Sequence, residues 1–224
     1  MTPEELTGRV RSHLAELAEP PCVLHAQVIA PFNGLRRAAA ADGFDLFPAS
    51  AFRDFARQLA IWNGKYNGTT LLSDASGEPL EAGLLGPSER IEAILNWSAL
   101  PGASRHHWGT DVDLIDRRAI PAGYRVRLAP EEFTPPGPFA ALGKWLTEHA
   151  PRFGFFRPYR GILSGVRAEP WHLSFAPIAE PARRRLSPGL LRDTLSQADL
   201  AGKEHVLERI EELHARYVAG IDWP

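Results

Sequence analysis

The sequence predicts an α+β fold in which helices and short strands follow each other without regular alternation. Apolar residues recur at helical spacing near both ends of the chain, and short apolar or alternating runs typical of strands stand between them. Because these segments do not form repeated β-α-β units, a doubly wound parallel sheet is disfavoured. At 224 residues, of which 44% are hydrophobic, the chain is long enough to bury a substantial core.

The first predicted helix begins near the N-terminus. Thr2 is suited to cap it, Pro3 to occupy its first position and Glu5 to close a capping box. Leu14 and Leu17 continue the helical spacing, and the Pro20-Pro21 pair is expected to end the helix. Later helices are predicted at 49–61, 89–97 and 139–150, from Ser187-Pro188 onward, and in an amphipathic segment marked by Leu207, Ile210, Leu213 and Tyr217.

Strands and loops fill the regions between these helices. Short strands are predicted at 23–29, 111–115 and 171–175. Residues 63–87 are rich in Gly, Asn, Ser and Asp and therefore predict a long surface loop. A second, proline-rich loop is expected at 130–138.

Composition excludes several classes of function. The net charge of −2, with both signs mixed along the chain, gives no footprint for nucleic acid or an anionic membrane. Cys22 is the single cysteine, so neither an intramolecular disulfide nor a zinc site made of thiolates is expected. The N-terminus lacks a signal-peptide pattern, and no segment reaches the roughly 20 apolar residues of a membrane span. We therefore expect a cytoplasmic protein, whose action in the periplasm or cell wall would require another export route; its oligomeric state is left open.

Two separate stretches hold the residues that a catalytic zinc site requires. They are Ser104-x-His106-x-x-Gly109-x-x-x-Asp113 and Glu169-Pro170-Trp171-His172. Two histidines and an aspartate with an open fourth position allow Zn²⁺ to lower the pKa of a bound water to about 7. A glutamate outside the ligand set can then accept the proton of that water. This composition indicates one divalent ion, with zinc favoured although other divalent metals suit the same ligands.

The spacing within each motif permits the side chains to converge on one ion without requiring it. His106 and Asp113 are seven residues apart and would face opposite sides of a single straight strand. Gly109 can supply a turn between them, with the histidine on a loop and the aspartate on the strand that follows. The glutamate and histidine of the second motif are three residues apart and need a bend between them.

These motifs closely resemble those of the zinc D-alanyl-D-alanine carboxypeptidases, a family that also includes D-Ala-D-Ala dipeptidases, some phage endolysins and the peptidase-like fold of hedgehog proteins. The resemblance extends to Ser50-Ala-Phe-Arg53-x-x-x-x-Gln58 and to Phe153-Gly154-Phe155, and it is strongest over residues 45–176. It implies a hedgehog/DD-peptidase-like fold with a central antiparallel sheet flanked by helices.

The resemblance also implies the reaction and the role of each site residue. The reaction would be hydrolysis of a peptide bond in a D-Ala-containing or peptidoglycan-derived peptide. A cell-wall endopeptidase of the endolysin type and a non-catalytic, zinc-stabilised binding module are the alternatives. The implied roles are zinc ligation by His106, Asp113 and His172, proton transfer by Glu169, stabilisation of an oxyanion or substrate carboxylate by Arg53, lining of the substrate pocket by Ser104 and Gln58, and packing beneath the metal by Trp171.

The chain departs from the family pattern at two places in its motifs. Asp111 stands where the family usually has a small residue, and Leu173-Ser174-Phe175 follows the second motif. Strand alternation favours a solvent-facing Asp111, with support of a ligand histidine as the alternative. His107 is interpreted as a pocket wall or an indirect support of the site.

The organisation predicted for the whole chain is a peptidase domain over residues 1–186 and a C-terminal helical extension over 187–224. The extension is expected to pack on the peptidase domain as a cover for its core, because amphipathic faces are usually directed to the core. A partner-binding or dimerising helix pair is the alternative.

Overall fold

A computed structural model describes residues 1–163 and 165–223 of the chain. Ser164 and Pro224, which fall within the two predicted domains, lie outside the described residues. The strands are β1 (Leu14–Leu17), β2 (Cys22–His25), β3 (Leu46–Ser50), β4 (Leu72–Ser73), β5 (Pro79–Leu80), β6 (Asp111–Asp116), β7 (Phe155–Phe156) and β8 (His172–Phe175). The central sheet has the order β3-β6-β8-β7 and is antiparallel throughout, and β1-β2 and β4-β5 form separate antiparallel pairs.

The helices surround this sheet and form the C-terminal part of the chain. They are α1 (Pro3–Leu6), α2 (Ile29–Ala41), α3 (Phe55–Tyr66), α4 (Pro87–Leu95), α5 (Ala140–His149), α6 (Ala176–Arg185), α7 (Pro188–Ser196), α8 (Lys203–Glu208) and α9 (Ile210–His214). Within the described part of the chain, no helix combines the length and the apolar composition that a bilayer crossing requires. The central antiparallel sheet flanked by helices confirms the predicted α+β fold.

The single long helix predicted at the N-terminus is wrong. The capping box of Thr2 and Glu5 is present, but it starts a helix of four residues only. Gly8, at φ +73°, turns the chain away immediately afterwards, and Leu14 and Leu17 then lie in β1. Helical spacing of leucines over a few residues does not distinguish a helix from a short strand when a glycine breaks the run.

Other differences lie in the first half of the chain. The predicted loop at 63–87 contains the end of α3 and the β4-β5 pair, and the sequence patterns predict neither α2 nor β3. In contrast, the strand predicted at 171–175 and the helices predicted at 89–97 and 139–150 are present with small shifts of their ends. Ser187 caps α7 as expected, because its Oγ accepts a hydrogen bond from the N–H of Leu190.

Both faces of the central sheet are covered. Val112, Leu114 and, from β8, Leu173 join one hydrophobic cluster with side chains of α2 and α5. A second cluster combines α3 and α4 with Trp108 and with apolar side chains of α7, α8 and α9. All six residues of β6 are consequently buried. Successive side chains of this strand point to opposite faces of the sheet, but neither face is exposed to water.

Gly109 makes the sharp turn that joins the first motif to β6. Its φ is +65°, in the left-handed region that favours glycine. A Cβ at this position would also lie 2.5 Å from the backbone nitrogen of His25 and 2.5 Å from Cδ2 of Leu14. The turn therefore requires glycine for two reasons, its backbone conformation and its close approach to another backbone segment.

Replacing Gly109 with alanine is expected to destabilise the protein by more than the roughly 1–2 kcal/mol of a left-handed non-glycine residue, because backbone atoms must also move apart. Gly123→Ala is the matched control, since Gly123 has φ +74° but nothing within 4 Å of its Cβ position. Urea unfolding of both variants measures the two free energies. Equal losses would contradict the close-approach argument and leave backbone strain alone.

Candidate metal centre

Asp113 and His172 meet because of the register between two neighbouring strands. β6 and β8 pair so that Asp113 lies directly opposite His172. Residues opposite each other in an antiparallel pair project their side chains from the same face of the sheet. As a result, Nδ1 of His172 lies 3.2 Å from Oδ1 of Asp113.

His106 reaches the same point from the short 3-10 turn Arg105–Trp108, which precedes Gly109 and β6. Its Nδ1 donates to the carbonyl oxygen of Ala51 at 2.7 Å, which leaves Nε2 as the nitrogen with a free lone pair. That Nε2 lies 3.4 Å from Oδ2 of Asp113. Burial lowers the pKa of His106 to about 4, so the ring is neutral and suited to ligate a metal.

The three side chains fit a zinc ion. One potential ligand atom each from His106, Asp113 and His172 lies within 4.8 Å of the others, and all three residues are buried. Oδ1 of Asp113 is buried without a hydrogen-bond partner among the described residues, which is a costly state for a carboxylate oxygen unless a cation neutralises it. Two imidazoles and one carboxylate are a common ligand set of catalytic zinc, with a fourth position left for water or substrate.

Glu169 lies beside this group at the turn that leads into β8. The N–H of His172 donates to the carbonyl oxygen of Glu169 at 3.1 Å, which provides the bend that the sequence requires. The Glu169 carboxylate is placed next to the ligands, with Oε2 at 3.2 Å from Nδ1 of His172. Burial raises the pKa of Glu169, although contact with His172 opposes this effect. A carboxyl with a raised pKa is suited to accept and return a proton near neutral pH.

Arg53 is held at the edge of the centre by its own fixed contacts. Nη1 donates to Oε1 of Gln58 at 2.8 Å, and Nη2 donates to Oγ of Ser50 at 3.3 Å. Gln58 is fully buried and is itself anchored, because its Nε2 donates to the carbonyl oxygen of Ala99 at 2.7 Å. Burial lowers the pKa of Arg53, while the charges of Asp113 and Glu169 oppose this shift, so the guanidinium lies within electrostatic range of both carboxylates.

The remaining two predicted residues lie close to the ligands in the chain. Ser104 occupies the position just before the 3-10 turn that carries His106 and is 2% exposed. Trp171 is buried in the cluster beneath the sheet, where its ring centroid lies 5.7 Å from that of Phe133. The structure therefore brings Ser104 to the ligand turn and Trp171 to the opposite face of β8.

His107 supports the centre indirectly. Its Nδ1 donates to the carbonyl oxygen of Arg53 at 2.6 Å, and its Nε2 accepts from the N–H of Gly102 at 3.0 Å. Burial lowers the pKa of His107 to about 4, so the neutral ring can make both bonds at once. This side chain ties the segment that carries Arg53 to the loop before the first motif.

The sequence patterns miss two side chains near the centre. Tyr159 is buried with its ring 5.0 Å from that of His172, and its carbonyl oxygen accepts the N–H of Glu169 at 3.0 Å. Lys65 donates from Nζ to Oγ of Ser98 at 2.7 Å, and its pKa is lowered by burial and raised in part by the charge of Glu169. A signal for Lys65 exists in the sequence, since it follows Gln58 by seven residues and therefore shares its face of α3.

The expectation that Asp111 faces solvent is wrong. This residue is fully buried, because both faces of the central sheet are covered and alternation along β6 does not lead to water. Its carboxylate instead lies against His172, with Oδ1 at 3.2 Å from Nε2. The alternative interpretation, support of a ligand histidine, matches this position.

The C-terminal segment shapes the loop that precedes Glu169. The carboxylate of Asp222 is 1% exposed and accepts the N–H groups of Arg160 at 2.6 Å, Leu163 at 2.9 Å and Ile162 at 3.4 Å. In turn, the N–H of Asp222 donates to the carbonyl oxygen of Pro158 at 2.9 Å. One buried side chain therefore fixes the backbone on the C-terminal side of Tyr159.

The chain is similar to known D-alanyl-D-alanine carboxypeptidases. A family model described as D-alanyl-D-alanine carboxypeptidase, VanY, matches residues 22–178. An uncharacterised protein of Haemophilus influenzae is 35% identical over 121 residues, which cover 53% of this chain and 92% of that protein. A D-alanyl-D-alanine carboxypeptidase of Enterococcus faecalis is 30% identical over 166 residues, covering 72% of this chain; the match spans about half, 52%, of that relative.

Two solved structures share the fold at low sequence identity. VanYB in complex with D-alanine-D-alanine superposes with a TM-score of 0.54 and 24% identity, covering 83% of this chain and 89% of that one. A vancomycin resistance D,D-pentapeptidase VanY mutant in complex with Zn(II) superposes with a TM-score of 0.52 and 24% identity, covering 86% and 88%.

Replacing Asp222 with alanine is expected to loosen the loop at 158–163, because three backbone donors lose a buried acceptor. Unsatisfied buried donors cost about 1–3 kcal/mol each, and partial access to water should keep the total near the lower end. Hydrogen exchange of this loop should accelerate more than that of α7. Asp193→Ala, at an exposed acid in α7, is the control. Unchanged exchange at 158–163 would contradict the assigned role of Asp222.

Proposed function

The chain belongs to the VanY family of D-alanyl-D-alanine carboxypeptidases, and on that premise we propose that it is a zinc metallopeptidase that hydrolyses a peptide bond in a D-Ala-containing or peptidoglycan-derived peptide. The observation that carries the proposal is the convergence of His106, Asp113 and His172 with Glu169 directly beside them. Structural neighbours solved with D-alanine-D-alanine and with Zn(II) support the substrate class and the metal.

Each ionisable group of the centre has a distinct task in this proposal. His106, Asp113 and His172 would hold one zinc ion, which supplies a Lewis acid and lowers the pKa of its bound water to about 7. Glu169 accepts a proton during attack on the peptide carbonyl and donates it to the departing amine. Burial raises the pKa of the Glu169 carboxyl, which brings it closer to the range in which the group both accepts and donates a proton efficiently.

Arg53 is proposed to bind negative charge on the substrate. It would contact either the oxyanion that develops at the scissile carbonyl or the free carboxylate of the peptide. A guanidinium presents its donors in a rigid fork, and here two of its nitrogens are already fixed by Gln58 and Ser50. Because it is held in this way, the guanidinium needs little rearrangement to contact an anionic group of the substrate.

We further propose that residues 1–186 form the peptidase domain and that 187–224 form an extension packed on it. Apolar side chains of α7, α8 and α9 share one hydrophobic cluster with α3, α4 and Trp108. The hydrogen bonds that Asp222 accepts from the loop at 158–163 also support packing of the extension on the peptidase domain. The extension in this proposal completes a wall of the site and is not an independent module.

Glu169→Gln tests the proposal most directly. Hydrolysis of a peptide that ends in D-Ala-D-Ala, measured as release of D-alanine, should fall by about 10²- to 10⁴-fold, which is the usual contribution of a general acid–base. Bound zinc, measured by elemental analysis, should remain equal to that of the unaltered protein, since Glu169 is not a ligand. Retained activity would refute the assignment of Glu169 as the group that transfers the proton. Loss of zinc would instead make it a ligand.

Arg53→Lys tests the proposed contact with substrate charge. We expect kcat/KM to fall by about 10²-fold, because an ammonium cannot reproduce the fixed fork. Arg57→Lys, at an exposed arginine of α3, is the matched control and should keep full activity. If Arg53 binds the free carboxylate of the substrate, the loss will appear in KM and will vanish for a C-terminally amidated peptide. An unchanged kcat/KM with both peptides would refute either role.

A further inference from the structure

The side of His172 that faces away from Asp113 and Glu169 lies in a buried polar network. Its Nε2 is 3.2 Å from Oδ1 of Asp111 and donates to it. Asp111 is 0% exposed and His172 is 3% exposed, so water does not compete for this contact. The two ring nitrogens of His172 consequently face two different environments, the candidate metal centre on one side and a single carboxylate on the other.

Three further donors saturate the carboxylate of Asp111. Nε of Arg105 donates to Oδ1 at 2.9 Å, Oγ of Ser174 donates to Oδ2 at 2.8 Å, and Oγ1 of Thr110 donates to Oδ2 at 3.0 Å. Nη2 of Arg105 also donates to Oγ of Ser174 at 2.5 Å, which closes a ring of hydrogen bonds. These contacts fix the position of Asp111 and leave Oδ1 directed at His172.

Strand register creates this arrangement, as it creates the candidate ligand pair. Asp111 lies opposite Ser174 in the pairing of β6 with β8, two residues before the pair of Asp113 and His172. Because side chains two residues apart share one face of a strand, all four lie on the same face of the sheet. A supporting acid and a ligating acid are therefore supplied by one strand.

Arg105 keeps the network electrically balanced. Its guanidinium is 2% exposed at the side chain and stacks over the ring of Trp108, with 4.9 Å between Cζ and the ring centroid. The charge of Arg105, whose Nε lies 2.9 Å from Oδ1, offsets the buried charge of Asp111. A buried carboxylate that is paired in this way is an effective acceptor for an imidazole N–H.

From these contacts we propose, on the basis of the function proposed above, that Asp111 is a positioning residue for the metal centre: it accepts the Nε2–H of His172 and directs the Nδ1 lone pair toward Asp113 and the ion. A carboxylate that accepts the second N–H of a ligating imidazole fixes the ring and its tautomer and increases the donor strength of the other nitrogen. Arg105 and Ser174 hold Asp111 in place for this task.

The two candidate ligand histidines differ in this respect. His106 donates its second N–H to a neutral backbone carbonyl, that of Ala51. His172 donates to a carboxylate whose charge is balanced on the far side by Arg105. His172 is therefore the more strongly donating ligand of the two, and metal retention depends on Asp111 although Asp111 does not touch the ion.

The test is the zinc affinity of Asp111→Asn, measured by competition with a chromophoric chelator. The neutral amide weakens the contact, and the dissociation constant should rise by about 10- to 100-fold, the usual effect of losing such a partner. Asp116→Asn is the matched control. Asp116 is also a buried acid of β6, but it accepts the N–H groups of Asp45 and Arg118 at the other end of the strand. The zinc affinity of the Asp116→Asn variant should equal that of the unaltered protein.

A second variant covers the case in which Asp111→Asn leaves Arg105 unpaired and prevents folding. The double substitution Arg105→Met with Asp111→Ala removes both charges together, which avoids an isolated buried ion. It should show the same rise in the zinc dissociation constant. In the zinc-loaded protein, the downfield Nε2–H proton resonance of His172 should persist in Asp116→Asn and disappear in the double variant.

Two results would overturn the role of Asp111. One is a zinc dissociation constant within about twofold of the unaltered protein in a folded Asp111 variant, well below the usual effect of such a partner. The other is an equal rise in Asp116→Asn, which would indicate general loosening of β6. Failure of the unaltered protein to bind zinc would instead refute the proposed function, so the two failures are distinguishable.

Discussion

The candidate site depends on the register between β6 and β8. This pairing places Asp113 opposite His172 and Asp111 opposite Ser174, all on one face of the central sheet. A shift by one residue would turn both aspartates toward the cluster formed by Val112, Leu114 and the helices α2 and α5. The register of β6 against β8 is therefore strongly specified, because a shift would bury two carboxylates among apolar side chains. The same register therefore stabilises the sheet and assembles the candidate metal centre.

Burial of so many charges is tolerated because each has a partner. Arg105 pairs with Asp111, His172 contacts three carboxylates, and Arg53 is held by Gln58 and Ser50 while facing Asp113 and Glu169. Low polarity in the surroundings strengthens these contacts and also makes an unpartnered group costly. Oδ1 of Asp113 makes no hydrogen bond among the described residues and lies 3.2 Å from Nδ1 of His172, so a bound cation would complete its set of partners. The candidate centre therefore offers an ion a carboxylate oxygen that no hydrogen bond satisfies.

Much of the candidate site could be predicted from the sequence, but its supporting network could not. The motifs around His106 and His172 identified the side chains that converge, and Gly109 supplied the predicted turn between His106 and β6. Strand alternation failed for Asp111, because it assumes one wet face, whereas the sheet is covered on both sides. Similarly, Gly8 lies so close to His107 that a Cβ at Gly8 would be 2.4 Å from its Nδ1, a contact between distant parts of the chain. Such contacts leave no periodic signal in the sequence.

The network around Asp111 also constrains how this sequence can change. Arg105, Asp111 and Ser174 come from a turn and two strands, yet each satisfies the others in a buried region. Loss of Asp111 alone leaves a buried guanidinium whose Nη1 already lacks a hydrogen-bond partner among the described residues. Loss of Arg105 alone leaves a buried carboxylate next to a candidate metal ligand. These positions are therefore expected to change together. A single substitution in the network is expected to change both the free energy of unfolding and the affinity of the proposed metal site, since the same carboxylate serves both.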